Sequence, residues 1–443
     1  MLDQPSLRDT HITTERPPFE CIALLLQGGG ALGAYQAGVY QALAEANLHP
    51  DWVAGISIGA INAALIAGNP PEQRVDKLRA FWETVTQNPL GMPSIPALAA
   101  TDERTHFLIN QTQVLGTLLF GAPGFFKPRL FTPLLFPFSN TETLSFCDVG
   151  ALTSTLERLV DFDRINAGET RFSVGATNVK TGNFVYFDNE TVKIRPAHVV
   201  ASGSLPPGFP ATEIDGEFYW DGGLVSNTPL QWVVDARPRK DTLAFQIDLW
   251  SARGELPHDL AHMNLRQTEI RYSSRTRAGT DQFRKVQGLI KATAKLLAKL
   301  PEALRQSPEA QLLAHEASEK VYSIIQMIYR KKKYEGNSMD HEFSRQTMED
   351  HWAAGYADAV HTLRHPEVLQ RPKSQDGVFT FDLGMQGRPQ ELHPTQTAPI
   401  PATTPYKTAS RRAASCGSAS IAWRPHFRRR AAGRVKHRAG RRE

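Results

Sequence analysis

The stretch Asp51-Trp52-Val53-Ala54-Gly55-Ile56-Ser57-Ile58-Gly59-Ala60 decides how this chain folds, because it carries a strand into a helix through a very tight turn. Trp52 to Ile56 reads as a short buried strand, and Ile58 to Ala67 as a helix of small and aliphatic residues. Between them, Gly55-x-Ser57-x-Gly59 has the form of a nucleophile elbow, in which glycines let the backbone pack closely around a serine pushed out of the surface. Ser57 is the candidate nucleophile and Gly55 and Gly59 its elbow. A serine in an ordinary strand-to-helix turn has the same local pattern, so the decision rests on the flanks and on the rest of the chain.

Upstream, Cys21 to Leu26 is a continuous apolar run, as expected of a central strand covered on both faces. It leads into Gly28-Gly29-Gly30-Ala31-Leu32-Gly33, after which Tyr35, Val39, Leu43 and Ala46 recur at helical spacing. Strand, glycine loop, helix and the Ser57 strand make a beta-alpha-beta unit. Gly28-x-Gly30-x-x-Gly33 also satisfies the dinucleotide fingerprint, which asks for an acid at the end of the second strand. Asp51 stands before that strand, and the elbow occupies the place of the acid. The loop therefore reads better as a set of backbone amides at a helix N-terminus, able to hold an oxyanion.

Downstream, Phe172 to Asn178 and Phe184 to Phe187 form a hairpin pattern about Lys180-Thr181-Gly182-Asn183. Val199 to Pro210 reads as a helix end broken by proline. Glu217 to Trp220 is a strand that delivers Asp221-Gly222-Gly223, a glycine turn that can leave the carboxylate in a cleft. A serine hydroxyl needs a base to become a nucleophile. His258, His262 and His315 follow Asp221 in sequence of helical character, and His198 reads as a packed histidine, so direct pairing of Ser57 with Asp221 is the simpler arrangement. Leu118 to Phe138, rich in leucine and phenylalanine but interrupted by Pro123, Pro128, Pro133 and Pro137, reads as a lid or acyl-chain wall, or as an irregular loop packing its aromatics on the core.

The 443 residues suffice for one large domain or two. Cys21, Cys147 and Cys416 are too scattered for a disulfide framework or a metal knuckle, which suits a reducing compartment. The net charge of +5 is a property of the tail: from Lys407 to Glu443 twelve Lys or Arg face one acid, leaving −6 on residues 1–406. Residues 1–20 read as a flexible leader without a secretory pattern. Thr242 to Leu249 reads as the last sheet strand, and Asp259 to His365 as helical, with Phe283, Val286, Ile290 and Leu297 on one face and Lys291, Lys295 and Lys299 on another. Such a basic amphipathic helix is either a solvated face or a membrane contact. From residue 386 onward, proline, threonine and then arginine dominate, which is expected to be disordered and to bind no specific nucleic acid.

Taken in order, Gly28 to Gly33, Gly55 to Gly59, Ala201-Ser202-Gly203-Ser204-Leu205-Pro206-Pro207 and Asp221 to Gly223 resemble the signatures of patatin-like phospholipases. The resemblance covers Ile22 to Leu249. It implies an α/β three-layer sandwich with a central, mostly parallel sheet, and a C-terminal α-helical region like the extension of some bacterial members. It further implies a catalytic Ser57–Asp221 dyad, an oxyanion hole from Gly28, Gly29, Gly30 and Gly33, a supporting turn at Gly222 and Gly223, and lipid acyl esters as substrates. No metal or other cofactor is expected. Leu32 stands where the family commonly has Arg or Lys. The expected division is a leader (1–20), a catalytic domain (21–250), a helical region (251–385) and a tail (386–443), in a cytoplasmic protein with peripheral membrane contact. A nucleotide-binding oxidoreductase and a catalytically idle lipid-binding scaffold are the alternatives.

Overall fold

A computed structural model describes residues 7–87, 116, 117, 119–129, 144–273, 276–331 and 339–383. In chain order the strands are β1 (Cys21–Leu26), β2 (Trp52–Ile56), β3 (Lys127–Pro128), β4 (Cys147–Asp148), β5 (Arg171–Asn178), β6 (Phe184–Asp188), β7 (Thr212–Ile214), β8 (Glu217–Asp221), β9 (Thr242–Asp248), β10 (Tyr322–Ile328) and β11 (Val378–Asp382). Nine of them form one sheet in the order β11-β10-β9-β1-β2-β5-β8-β7, with β6 also on β5, while β3 and β4 make a separate pair. Every pairing from β11 to β5 is parallel, and the hairpin partners β6, β8 and β7 are antiparallel.

Strand alternation makes the three layers. Along β1, Ile22, Leu24 and Leu26 enter one apolar cluster, and Cys21, Ala23 and Leu25 enter another on the opposite face. The first face is covered by α1 (Gly33–Glu45), α2 (Ile58–Ala67) and the helix Arg345–Leu363. The second is covered by Leu230–Val234, through Val233 and Val234, and by Thr276–Lys299, through Phe283. Each leucine-sized side chain taken fully out of water in these layers contributes roughly 1.5–3 kcal/mol.

Two strands lie beyond the one that the sequence marks as last. β10 pairs with β9 and β11 with β10, so the C-terminal region, helical over most of its length, also extends the sheet. The helical reading of Asp259 to His365 fails at Tyr322–Ile328 because a short apolar run fully buried in a parallel sheet carries no period of its own. Its β-branched and aromatic content, and Gly377 just ahead of β11, were the available signals. Val286, placed by period on the inner face of its helix, is exposed, and Gln287 is buried instead, donating to the Lys320 carbonyl at 2.8 Å.

Residues 7–20, expected to fray, lie against the body. Phe19 is buried, Arg8 N–H donates to the Arg364 carbonyl at 2.8 Å, and Thr13 Oγ1 donates to the Ala46 carbonyl at 2.6 Å. Of the proline-rich stretch from Leu118 to Phe138, the described part packs Phe125 and Phe126 against Phe209 and Phe343. The remainder of that proposed lid lies outside the described residues, as do residues 386–443.

The helix Arg345–Leu363 crosses α1 at backbone contact. A Cβ on Gly38 would lie 1.9 Å from the Trp352 carbonyl oxygen, and one on Gly355 would lie 2.0 Å from that of Tyr35. Hydrogen bonds from Tyr35 to Asp358, Trp352 to Gln41 and Tyr356 to Glu45, each 2.7 Å, fix the crossing. Among the described residues no helix is long and apolar enough to cross a membrane.

Candidate active site

The elbow stands at the carboxyl end of β2. Ser57 has φ 56° and ψ −124°, a left-handed backbone that only a well-supported turn sustains in a residue with a side chain. The support is close packing: a Cβ on Gly55 would lie 2.2 Å from the Gly59 carbonyl oxygen, and one on Gly59 would lie 2.2 Å from that of Leu26. The Ser57 N–H donates to Ser202 Oγ at 3.0 Å, and that hydroxyl in turn donates to the Gly175 carbonyl at 2.6 Å. Ser202 thereby ties the elbow to the neighbouring strand β5.

Asp221 ends β8 and is 2% exposed. Its main-chain N–H donates to the Ser204 carbonyl at 2.9 Å, and its Oδ1 accepts from Gly223 N–H at 2.7 Å. Gly222 can hold this turn because a Cβ there would lie 2.6 Å from the Gly175 carbonyl oxygen. Burial pushes the Asp221 carboxyl up to about 7, opposed by the nearby Ser57 hydroxyl and by the hydrogen bond from Gly223. The fold thus brings together the side chains of a serine and an aspartate 164 positions apart. His198 is buried on Phe187, accepts from Arg195 N–H at Nδ1, and is pushed down to about 4 by burial, as a packed histidine should be.

The glycine loop abuts the elbow, since a Cβ on Gly28 would lie 2.9 Å from Ser57 Cβ. Not all of its amides are available. Gly28 N–H donates to Asn227 Oδ1 at 3.2 Å, and Gly33 N–H to the Gly30 carbonyl. Of the four glycines expected to form an oxyanion hole, Gly28 and Gly33 therefore have their N–H groups engaged within the protein. Among the described residues the N–H groups of Gly29 and Gly30 have no protein acceptor. Gly30 has φ +56°, and the Asp340 carbonyl oxygen lies so close that a Cβ on Gly30 would come within 2.2 Å of it.

The sequence reading missed the residues that hold this loop. Asn227 Nδ2 donates to the Gly28 carbonyl at 3.1 Å and to the Tyr272 carbonyl at 2.8 Å. Trp250 Nε1 donates to the Gly28 carbonyl at 3.0 Å. Buried Gln27 accepts from the N–H groups of Leu249 and Trp250 at 2.7 and 2.9 Å, and donates to Thr228 and to the Tyr272 carbonyl. The available signal for Asn227 was its place six residues after Asp221, in the same loop. The Tyr272 phenol is raised from its ordinary value by burial, with the charges of Asp221 and Asp340 adding to the rise and Arg271 opposing it. His258, Asp259 and His262, for which no metal was expected, bring potential ligand atoms within 4.8 Å of one another. They sit at the far end of the helix that finishes at Tyr272, with His258 and Asp259 exposed and His262 partly buried.

A three-layer α/β protein with a strained serine on an elbow beside a buried aspartate is the class that this fold and site define. Two family models of patatin-like phospholipases match the chain, over separate stretches. A family model described as patatin-like phospholipase matches residues 24–233, and another, described as patatin phospholipase, matches residues 270–375. The chain is 44% identical over 63 residues to lysophospholipase nte1 of Aspergillus terreus, covering 14% of this chain and 4% of that protein. It is 43% identical over 61 residues to a patatin-like phospholipase domain-containing protein of Caenorhabditis elegans, again 14% and 4%. Each match therefore spans a small part of the relative's length. Among solved structures, VipD from Legionella pneumophila aligns over 87% of this chain and 78% of its own, at 14% identity and a TM-score of 0.37. The ExoU–SpcU complex of Pseudomonas aeruginosa aligns over 68% and 69%, at 20% identity and a TM-score of 0.27. Scores so low carry no argument, and the fold rests on the sheet described above.

Proposed function

We propose that this chain is a serine acyl hydrolase that cleaves fatty acyl esters of lipids through a Ser57–Asp221 dyad and an acyl-enzyme. The observation that carries the reading is the nearness of the Ser57 hydroxyl, on its strained elbow, to the buried Asp221 carboxyl, whose proton affinity burial raises to about 7. Asp221 takes the hydroxyl proton as Ser57 Oγ attacks the ester carbonyl, and the N–H groups of Gly29 and Gly30 receive the oxyanion. Collapse of the tetrahedral intermediate breaks the ester C–O bond, and Asp221 returns the proton to the departing alcohol. In the second half Asp221 takes a proton from water as the oxygen attacks the acyl carbon, and Ser57 leaves with that proton. A cytoplasmic setting, in which the protein meets lipid at a membrane surface, belongs to the same proposal and is supported by the free thiols of Cys21 and Cys147.

The test is hydrolysis of a chain-length series of p-nitrophenyl esters and of phosphatidylcholine. Ser57→Ala should lower kcat about a millionfold, the scale for loss of a serine nucleophile. Asp221→Asn should lower it about ten-thousandfold. Full activity in Asp221→Asn would overturn the dyad. Fluorophosphonate labelling of wild type but not of Ser57→Ala would exclude an idle scaffold.

A further inference from the structure

The helix Thr276–Lys299 has two unlike sides. Its inner side buries Phe283 against Tyr322 and seats Gln287 under the Lys320 carbonyl. Its outer side carries Leu289 and Leu296, which are 63% and 58% exposed, with Val286 exposed beside them. Lys285 and Lys299 stand exposed beside these leucines, and Lys295 stands exposed further round on their flank. Between residues 281 and 299 the only acid is Asp281, and among the described residues no ion pair engages these three lysines. Leucines spaced by seven lie along one line of the helix, so the apolar groups form a stripe with ammonium groups along it.

We infer that this outer face docks the protein on an anionic phospholipid surface, with Leu289 and Leu296 immersed and Lys285, Lys295 and Lys299 at the level of the head groups. Chemistry selects this occupant over two others. A second copy of the chain would set lysine against lysine in a desolvated contact, which like charges oppose. Nucleic acid would neutralise the lysines but leave the leucines in water. An anionic bilayer satisfies both, because its interface offers negative charge over an apolar interior. The inference deepens the proposed function, since a bilayer is where lipid esters reside, but it concerns a face outside the dyad and is tested separately.

The experiment is co-sedimentation of the full chain with vesicles of phosphatidylcholine alone or mixed with phosphatidylglycerol. Wild type should sediment with the mixed vesicles. Replacing Lys285, Lys295 and Lys299 together by glutamine should weaken that partition about a hundredfold. Leu289→Gln with Leu296→Gln should weaken it about tenfold at unchanged net charge. Both variants should keep the wild-type melting temperature and turnover of a soluble p-nitrophenyl ester, and that turnover independently tests the proposed function. Partition unchanged in the leucine variant would overturn the inference and assign binding to the basic stretch Lys407 to Glu443. Failure of wild type to sediment, or conversion of an oligomer to monomer by the leucine substitutions, would also overturn it.

Discussion

The turn that follows β2 is held mainly by the chain around it, whereas the turn that follows β1 is held by residues 199 and 222 positions away. At the elbow, Gly55 and Gly59 close on each other and on Leu26, and Ser202 adds one distant hydrogen bond. At the glycine loop, Asn227, Trp250, Gln27, Tyr272 and Asp340 converge on Gly28 and Gly30. Two glycine turns that look alike in sequence are therefore different devices. One stores strain in a motif closed mainly on itself, and the other is a glycine segment whose shape is imposed from outside.

Substitutions can separate the two. The largest effect should come from Gly59→Ala, because a methyl 2.2 Å from the Leu26 carbonyl oxygen meets backbone that cannot yield. Stability should fall by roughly 3 kcal/mol or more and activity with it, read by thermal melting and ester turnover. A variant that melts like wild type would show that the elbow is less tightly closed than described. Gly28→Ala should act differently, because its methyl meets the Asn227 side chain at 2.5 Å and Ser57 Cβ at 2.9 Å, side chains rather than backbone. The expected result is a loss of about a hundredfold in kcat, the scale for a misplaced oxyanion donor, with a smaller fall in melting temperature than for Gly59→Ala. Asn227→Ala, which frees the loop without filling space, should lower kcat about tenfold. If Asn227→Ala melted far below Gly59→Ala, the contrast between the two turns would be reversed.

The mildest test is pH. In the proposed mechanism Asp221 must be ionised to accept the serine proton, so kcat/KM should rise with pH through about 7 and then level off. A profile flat across that range would separate the rate from Asp221 ionisation. Stability has the opposite sign. A carboxyl raised in the folded state contributes stability below its unfolded value near 3.8, and that contribution is lost as pH rises through about 7. Asp221→Asn should accordingly melt higher than wild type above that value, and the advantage should shrink below it.

The same contrast explains what was legible in the sequence. The elbow, β1, β2, the β5–β6 hairpin and the Asp221 turn could be read because glycine spacing and apolar runs are local signals. The loop glycines were recognisable as a group, but not which amides remain available, since Gly28 loses its N–H to a side chain that only the fold brings near. Tyr272 was illegible because it acts through its backbone carbonyl, which has no residue code, and Asn227 offered only its place in the Asp221 loop. β10 escaped for a different reason, being apolar on both faces and too short to display a period. The docking of residues 7–20 depends on partners at Ala46 and Arg364 that no window of sequence contains.

The strand order has a consequence for synthesis. From the middle of the sheet outward, β9, β10 and β11 follow one another in the order in which a ribosome makes them. When β9 has emerged, its outer edge has no partner until Tyr322–Ile328 arrives, dozens of residues later. During that interval the nascent chain presents an apolar strand with unpaired amides, the kind of edge that recruits other chains. A premature stop between Asp248 and Tyr322 would thus release a sticky polypeptide in which Ser57 and Asp221 are already made.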